Sequence, residues 1–341
     1  MAHRPLGRSG MKVSEVCLGA MMFGDRTDET EAERIVADAA ERGVNFIDTA
    51  DVYAAGRSEE ITGRLIRGQR DRWIVATKVG APMRGAAAEP GSGGLSRRWL
   101  TMACDRSLKR LGTDHIDLYY VHKTDDLVPW ANTVATFGDL IRAGKIRSWG
   151  LSNVRAWHIP EIVHQCRQQN VPQPVALQPY YNLMNRQPEV ELLPAAAEYG
   201  LGIATYSPLA RGILSGKYAP GQTPDAESRA GRRDRRMVET EWRPESLEIA
   251  SRLQQHANSR GISLIDFALA WVLNNRAVTA VIAGPRTLEQ WLSYAAGSRY
   301  IWTAEDEQLV DTLVAPGHPS TPGYNDPSYP LTGRFAAVAA G

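Results

Sequence analysis

Asp48, Tyr53, Lys78 and His122 are the side chains whose types and placement in this sequence suit chemistry. Asp48 ends GVNFID, Tyr53 follows in DTADVY, Lys78 ends WIVATK and His122 ends IDLYYVH. A carboxylate, a phenol, an amine and an imidazole at the same end of neighbouring strands can meet in one pocket and move a proton to a carbonyl oxygen. An ammonium ~4 Å from a phenol, at an effective dielectric of about 20, favours the phenolate by about 4 kcal/mol before other groups act. The expectation is a Tyr53 phenol brought closer to working pH. Asp48 would pair with Lys78, hold it in place and cancel part of that pull. A neutral His122 would donate a hydrogen bond to the substrate oxygen and orient it. The hydride of such a reaction needs a cofactor, because no side chain can supply one. Each residue also has an ordinary reading: Asp48 and Thr49 as a cap, Tyr53 as packing, Lys78 as an ion-pair partner, His122 as structural. Their joint placement at strand ends is what argues for catalysis.

The elements that must position them alternate along the chain. Short β-like runs end near Gly19, Asp48, Lys78, His122, Ser152, Gln178, Tyr206 and Ala283, with amphipathic helical runs between them. TDETEAERIVADAAERG, for example, reads as a helix with acidic residues in its first turn and Gly43 past its end. Most strand ends are about 30 residues apart, the length of one βα unit. The two long gaps hold a Gly/Ala/Pro-rich insert, APMRGAAAEPGSGG, and a basic loop followed by two helices. Eight apolar strands in strict alternation predict a (β/α)8 barrel occupying the whole of 1–341 as a single domain, with an N-terminal hairpin over RPLGRSGMKVSE. The active face of such a barrel lies at the C-terminal ends of its strands. The alternative, a doubly wound open sheet, would carry G-x-G-x-x-G after its first strand, and none is present there. The Pro- and Gly-rich tail from Ala315 onward predicts no regular structure.

Composition narrows the function. A formal charge of +1 gives no general attraction to nucleic acid or to an anionic membrane. The arginines at 229, 232, 233, 235 and 236 read as a solvated loop. Cys17, Cys104 and Cys166 are too few and too scattered for a disulfide framework or a zinc site, so no metal is expected and a reducing cytoplasm is. The N-terminus lacks a signal-peptide pattern, and no run approaches the roughly 20 apolar residues of a membrane span.

These motifs resemble the aldo-keto reductase family. DTADVY (48–53), ATK (76–78) and YYVH (119–122) are similar to its catalytic tetrad motifs. GLSN (150–153), LQPYYN (177–182), YSPLARGILSGKY (206–218) and AGPRTLEQ (283–290) are similar to its cofactor segments. The similarity runs from about Leu6 to Trp302, and it looks closer to the bacterial and potassium-channel-β-subunit-like branches. It implies a (β/α)8 barrel that binds NADPH without a Rossmann fold. It implies Tyr53 as proton donor, assisted by Lys78 and Asp48, with His122 orienting the carbonyl. Ser152, Asn153 and Gln178 would hold the nicotinamide carboxamide and Tyr206 would stack under its ring. Gly19, Ala20 and Met21, at the end of the first strand, join Asp48 as further cofactor candidates. Ser207, Leu209, Arg211 and Gly212, with Lys217, would line the pyrophosphate. Gly284, Arg286 and Gln290 would hold the adenosine end. A guanidinium at a helix N-terminus suits a 2′-phosphate, which favours NADPH over NADH. The sequence departs from many relatives at Ala283, Ser293 and Tyr294, where contacts to the adenosine end are affected.

Substrate selection falls to the loops: Met22 and Phe23 after the first strand, beside Tyr53 and His122, then the 82–94 insert, Trp130, the 219–243 loop, and Tyr324 and Tyr329 in the tail. Large apolar side chains there favour aromatic or aliphatic carbonyls, whereas Arg84, Lys123 and the 229–236 arginines suit sugars or acids. The leading expectation is an NADPH-dependent reductase of a small carbonyl compound. The alternatives are a cofactor-bound regulatory or scaffolding subunit with slow turnover, and the same chemistry run in reverse on an alcohol or sugar. Oligomeric state is not legible in the sequence.

Overall fold

The computed structural model describes residues 1–83 and 88–330, apart from the side chain of residue 298. A short antiparallel hairpin, β1 (His3–Pro5) and β2 (Lys12–Ser14), comes first. Eight parallel strands then close on themselves: β3 (Val16–Gly19), β4 (Phe46–Asp48), β5 (Ile74–Val79), β6 (Ile116–Val121), β7 (Ile146–Ser152), β8 (Ala176–Gln178), β9 (Gly202–Tyr206) and β10 (Val278–Ala283). Their order around the ring follows the chain, and β10 pairs with β3 to complete a (β/α)8 TIM barrel.

The helices outside are α1 (Glu29–Glu41), α2 (Arg57–Ile66), α3 (Arg97–Leu111), α4 (Trp130–Arg142), α5 (His158–Gln168), α6 (Leu192–Glu198), α7 (Arg235–Thr240), α8 (Pro244–Ser259), α9 (Leu264–Asn274), α10 (Leu288–Ala296) and α11 (Ala304–Leu313). Local sequence sets their ends. Asp28 and Ser96 cap α1 and α3 by accepting from the Glu31 and Trp99 N–H groups, and Gly112 ends α3 in the left-handed region at φ 63°. Ser263 with Asp266, and Thr303 with Asp306, form capping boxes on α9 and α11.

Side chains alternate across each strand, so two apolar layers form. Cys17, Phe46, Ala76, Leu118, Tyr120, Ala176, Ala204 and Ala280 fill the barrel interior, and Leu6 and Val13 of the hairpin region close its N-terminal end. Val16, Leu18, Ile47, Val75, Tyr119, Val121, Trp149, Leu151 and Ile203 point outward under the helices. The inward phase, carried to the C-terminal ends, reaches Gly19, Asp48, Lys78, His122, Ser152, Gln178 and Tyr206.

Three expectations change. VSEVCLG is not one strand: it breaks at Glu15, whose N–H bonds the Ala2 carbonyl and so belongs to the N-terminal region rather than the barrel. The arginine-rich stretch is not a solvated loop. It contains α7, capped by Asp234, and Arg236 is paired with Glu239 and Asp326. The helix α11 follows Trp302 where no element was expected. Among the described residues no helix is long and apolar enough to cross a membrane. Arg84 lies outside the described residues.

Candidate active site

Strand parity brings the four candidate residues together. Lys78 at the end of β5 is fully buried, and its ammonium has three acceptors: Asp48 Oδ1, the Thr49 carbonyl at 2.7 Å and Tyr53 Oη at 3.2 Å. Tyr53 reaches the pocket from a turn in which Ala54 and Ala55 take left-handed φ values of 48° and 56°. Its ring meets His122 edge to face, with centroids 5.8 Å apart, and the Lys78 Nζ stands 4.7 Å from the Tyr53 ring centre.

A hydrogen-bonded row continues around the rim. Gln178 Nε2 donates to Asp48 Oδ2 at 2.8 Å, Ser152 Oγ donates to the Gln178 carbonyl at 2.9 Å, and Asn153 Nδ2 donates to Ser152 Oγ at 3.0 Å and to the His122 carbonyl at 2.8 Å. Tyr206 Oη closes it by donating to Asn153 Oδ1 at 2.9 Å. Both Asp48 oxygens thus receive donors, and the Asp48–Lys78 pair is ionised. Burial works against the Lys78 ammonium, but Asp48 and the Tyr53 oxygen outweigh it and hold its pKa above the ordinary lysine value.

The electrostatics correct one expectation. Tyr53 keeps only partial contact with solvent, and burial raises its phenol above the ordinary value although Lys78 pulls the other way and Asp48 opposes Lys78. The phenol is therefore held protonated rather than brought toward neutral pH. His122 is pushed down to about 3, by burial first and by Lys78 second, so its imidazole is neutral. Its Nδ1 is buried without a hydrogen-bond partner.

The nucleotide candidates lie in a second group. Ser207, Ala210 and Arg211 have φ values of 60°, 46° and 53°, and Gly212 has φ 107°. This left-handed cluster turns the chain sharply after β9, with Asn182 Nδ2 donating to the Ser207 carbonyl and Ser207 Oγ accepting from the Arg211 N–H. Leu209 is buried in the turn and Lys217 is exposed beyond it. Gly284 has open space where a Cβ would stand, and Gln290 Oε1 accepts from the Arg286 N–H at 2.9 Å.

Burial lowers the Arg211 and Arg229 guanidinium pKa values, and neither has a carboxylate partner among the described residues. Arg229 feels Arg211, Arg286 and the Tyr294 phenol. Uncompensated, partly buried cations beside a left-handed turn fit the phosphates of a nucleotide, which would supply the missing negative charge. Arg229 was not among the expected contacts. Its signal was present in the arginine cluster, but its burial depends on α7 and the tail.

Not every loop candidate faces the pocket. Phe23 is fully buried in the layer under the helices, and Met22 is nearly so. The Phe23 N–H bonds the Ala20 carbonyl, and the Gly24 and Thr27 N–H groups close the turn, which folds these side chains inward and leaves Met21 exposed. Phe23 as a substrate contact is therefore corrected. A cavity of about 480 Å³ near Tyr181, Arg186, Trp271 and Trp302 lies outside the barrel and touches none of the candidate residues.

The aldo/keto reductase family model matches residues 15–306. An uncharacterized oxidoreductase, YrpG, of Bacillus subtilis is 38% identical over 303 residues, covering 85% of this chain and 89% of the relative. A probable voltage-gated potassium channel subunit beta of Oryza sativa is 36% identical over 289 residues, covering 83% and 87%. A putative subunit of the same name in Schizosaccharomyces pombe is 35% identical over 326 residues, covering 91% and 92%. A closed parallel barrel, with proton-transfer side chains gathered at the C-terminal ends of its strands, carries these similarities along most of its length, and the chain belongs to the aldo/keto reductase family.

Proposed function

We propose that this protein reduces an aldehyde or ketone to the alcohol, with NADPH as its cofactor and Tyr53 as the proton donor. The family places it among oxidoreductases that act on carbonyls. The observation that carries the finer reading is the hydrogen bond from Lys78 Nζ to Tyr53 Oη at 3.2 Å. The phenol oxygen accepts there, so its own hydrogen is free to be given to a substrate oxygen in the pocket.

Bound NADPH would supply the hydride. The residues of this chain do the rest. Lys78 stabilises the phenolate left after proton transfer, and Asp48 with the Thr49 carbonyl keeps the ammonium in place. A neutral His122 hydrogen-bonds the carbonyl oxygen and orients it. Ser152, Asn153 and Gln178 are at the height on the rim where they would hold the carboxamide, with Tyr206 as a flat support for the ring. Ser207, Leu209, Gly212 and Lys217, with Arg211 and Arg229, would receive the pyrophosphate. Gly284, Arg286 and Gln290 would receive the adenosine end, and the surplus of cations favours the 2′-phosphate of NADPH over NADH. Gly19, Ala20 and Met21 border the same face. The alcohol-oxidising direction would use the same residues.

The test follows NADPH absorbance across a panel of aldehydes and ketones with the native protein and Tyr53→Phe. Turnover should fall about 10²–10⁴-fold in the variant, the usual contribution of one positioned acid, while NADPH binding persists. Because two relatives are named potassium channel β subunits, a regulatory, cofactor-bound role is the second reading. Tight NADPH binding with no turnover across the panel would select it.

A further inference from the structure

Residues 320–330 do not trail away from the barrel. Arg243 donates to Thr321 Oγ1 at 2.6 Å and to Ser320 Oγ at 3.1 Å, and its guanidinium lies 3.9 Å from the Tyr324 ring centre. The Tyr324 hydroxyl donates to the Glu239 carbonyl at 3.1 Å. Arg236 holds Asp326 through both terminal nitrogens, at 3.0 and 2.5 Å, and donates to Ser328 Oγ at 2.8 Å. At the other end Arg155 donates to the Tyr329 and Pro330 carbonyls at 2.8 and 3.0 Å, and Lys123 Nζ stands 5.9 Å from the Tyr329 ring centre.

These anchors belong to two different parts of the site. Arg236 and Arg243 sit on and just after α7, in the stretch that also carries Arg229. Lys123 and Arg155 come directly after His122 and shortly after Asn153 on the rim. Tyr329 is partly buried between the two sets. Burial raises its phenol, and Asp326, Arg236, Arg211 and Tyr53 are the groups whose charges act on it. Its ring is thus among the aromatic faces of Tyr53, His122 and Tyr206.

We propose that Tyr329 is a specificity-determining residue that walls the substrate pocket and favours flat aromatic carbonyls, and that the Arg236–Asp326 pair latches it to the stretch that receives the nucleotide. This rests on the reductase reading above. Aromatic rings stack well against a pocket lined with rings, beyond what their buried area gives, whereas a short alkyl chain does not. A two-pronged guanidinium–carboxylate contact fixes orientation as well as distance. With the latch closed, the segment and the α7 stretch move as one body, so opening toward solvent for nucleotide release also withdraws Tyr329.

The test uses the full chain with Tyr329→Ala, Tyr329→Phe and Asp326→Asn. The first readout is the ratio of kcat/KM for 4-nitrobenzaldehyde to that for propanal. It should fall about tenfold in Tyr329→Ala, stay within twofold in Tyr329→Phe, and fall in Asp326→Asn. The second readout is NADP+ dissociation followed by stopped-flow protein fluorescence, which should be at least threefold faster in Asp326→Asn than in the native chain. An unchanged ratio in an active Tyr329→Ala, or an unchanged dissociation rate in Asp326→Asn, overturns the proposal. A native protein that reduces neither aldehyde removes the reductase reading instead, and the dissociation rates still decide the latch.

Discussion

Three acceptors converge on the Lys78 ammonium, and only one of them, Tyr53 Oη, belongs to a group that can give up a proton. That asymmetry separates the roles in the cluster: Asp48 and the Thr49 carbonyl anchor, and Tyr53 reacts. The ionisations add a pH consequence. An imidazole at about 3 carries no proton to lose near its ordinary 6.5, and a phenol held above its ordinary value loses none below about 10. The pH profile of kcat/KM should therefore be flat from pH 5 to 9, with a fall only on the alkaline side as Tyr53 ionises. His122→Gln keeps a neutral donor and should lower kcat/KM about 10²-fold or more without changing the shape. A native acid limb near 6.5 that vanishes in His122→Gln would show that the imidazole titrates after all. The sequence placed these four residues correctly at strand ends. It misjudged the phenol because a Coulomb estimate contains the Lys78 charge but not the desolvation of a crowded barrel mouth.

At the scale of elements, the site is a result of strand phase. Reading strands by their ends worked because inward positions recur every second residue, and every ring position from Asp48 to Tyr206 has that phase. Capping patterns made α1, α3 and α9 equally plain. What stayed hidden depends on distant partners: α7 is steadied by the Arg236–Asp326 contact across ninety positions of sequence, and Phe23 is turned inward by a loop that hydropathy does not distinguish from an exposed one. The same phase explains the small residues inside the barrel. A Cβ at Gly150 would stand 2.5 Å from Tyr120 Cε1 and 2.9 Å from the Ala176 carbonyl. Gly150 is thus required by the Tyr120 ring beneath the Asp48–Gln178 layer, not by backbone freedom. Gly150→Ala should destabilise the protein by about 1–3 kcal/mol, the usual penalty of overpacking. The double variant Gly150→Ala/Tyr120→Leu should recover part of that loss. Urea midpoints of the four proteins give the coupling directly, and strict additivity would rule out the contact.

At the scale of the whole molecule, the two apolar layers inside and outside the strands hold the barrel, while the tail and the α7 stretch are held to it largely by polar contacts. One group there is badly matched to its surroundings. Glu241 is fully buried, neither carboxylate oxygen has a hydrogen-bond partner, and burial lifts its pKa to about 8, with Arg243 pulling down and Asp326 pushing up. The sign follows from proton binding in the two states. Below about 4.5 the carboxyl is protonated whether the chain is folded or not. Between about 4.5 and 8 the folded protein retains a proton that the unfolded chain has released, so stability present at low pH is lost as pH rises through that window. Glutamine has no such ionisation. Glu241→Gln should leave stability nearly unchanged at pH 4.5 and raise it by about 2 kcal/mol at pH 8.5, the amide retaining some of the cost of an unpaired buried polar group. Denaturant midpoints at pH 4.5, 6.5 and 8.5 measure this directly. A gain that does not grow with pH would mean that Glu241 finds a partner or water in solution and stays ionised, and the tail would then rest on a satisfied charge rather than on a suppressed one.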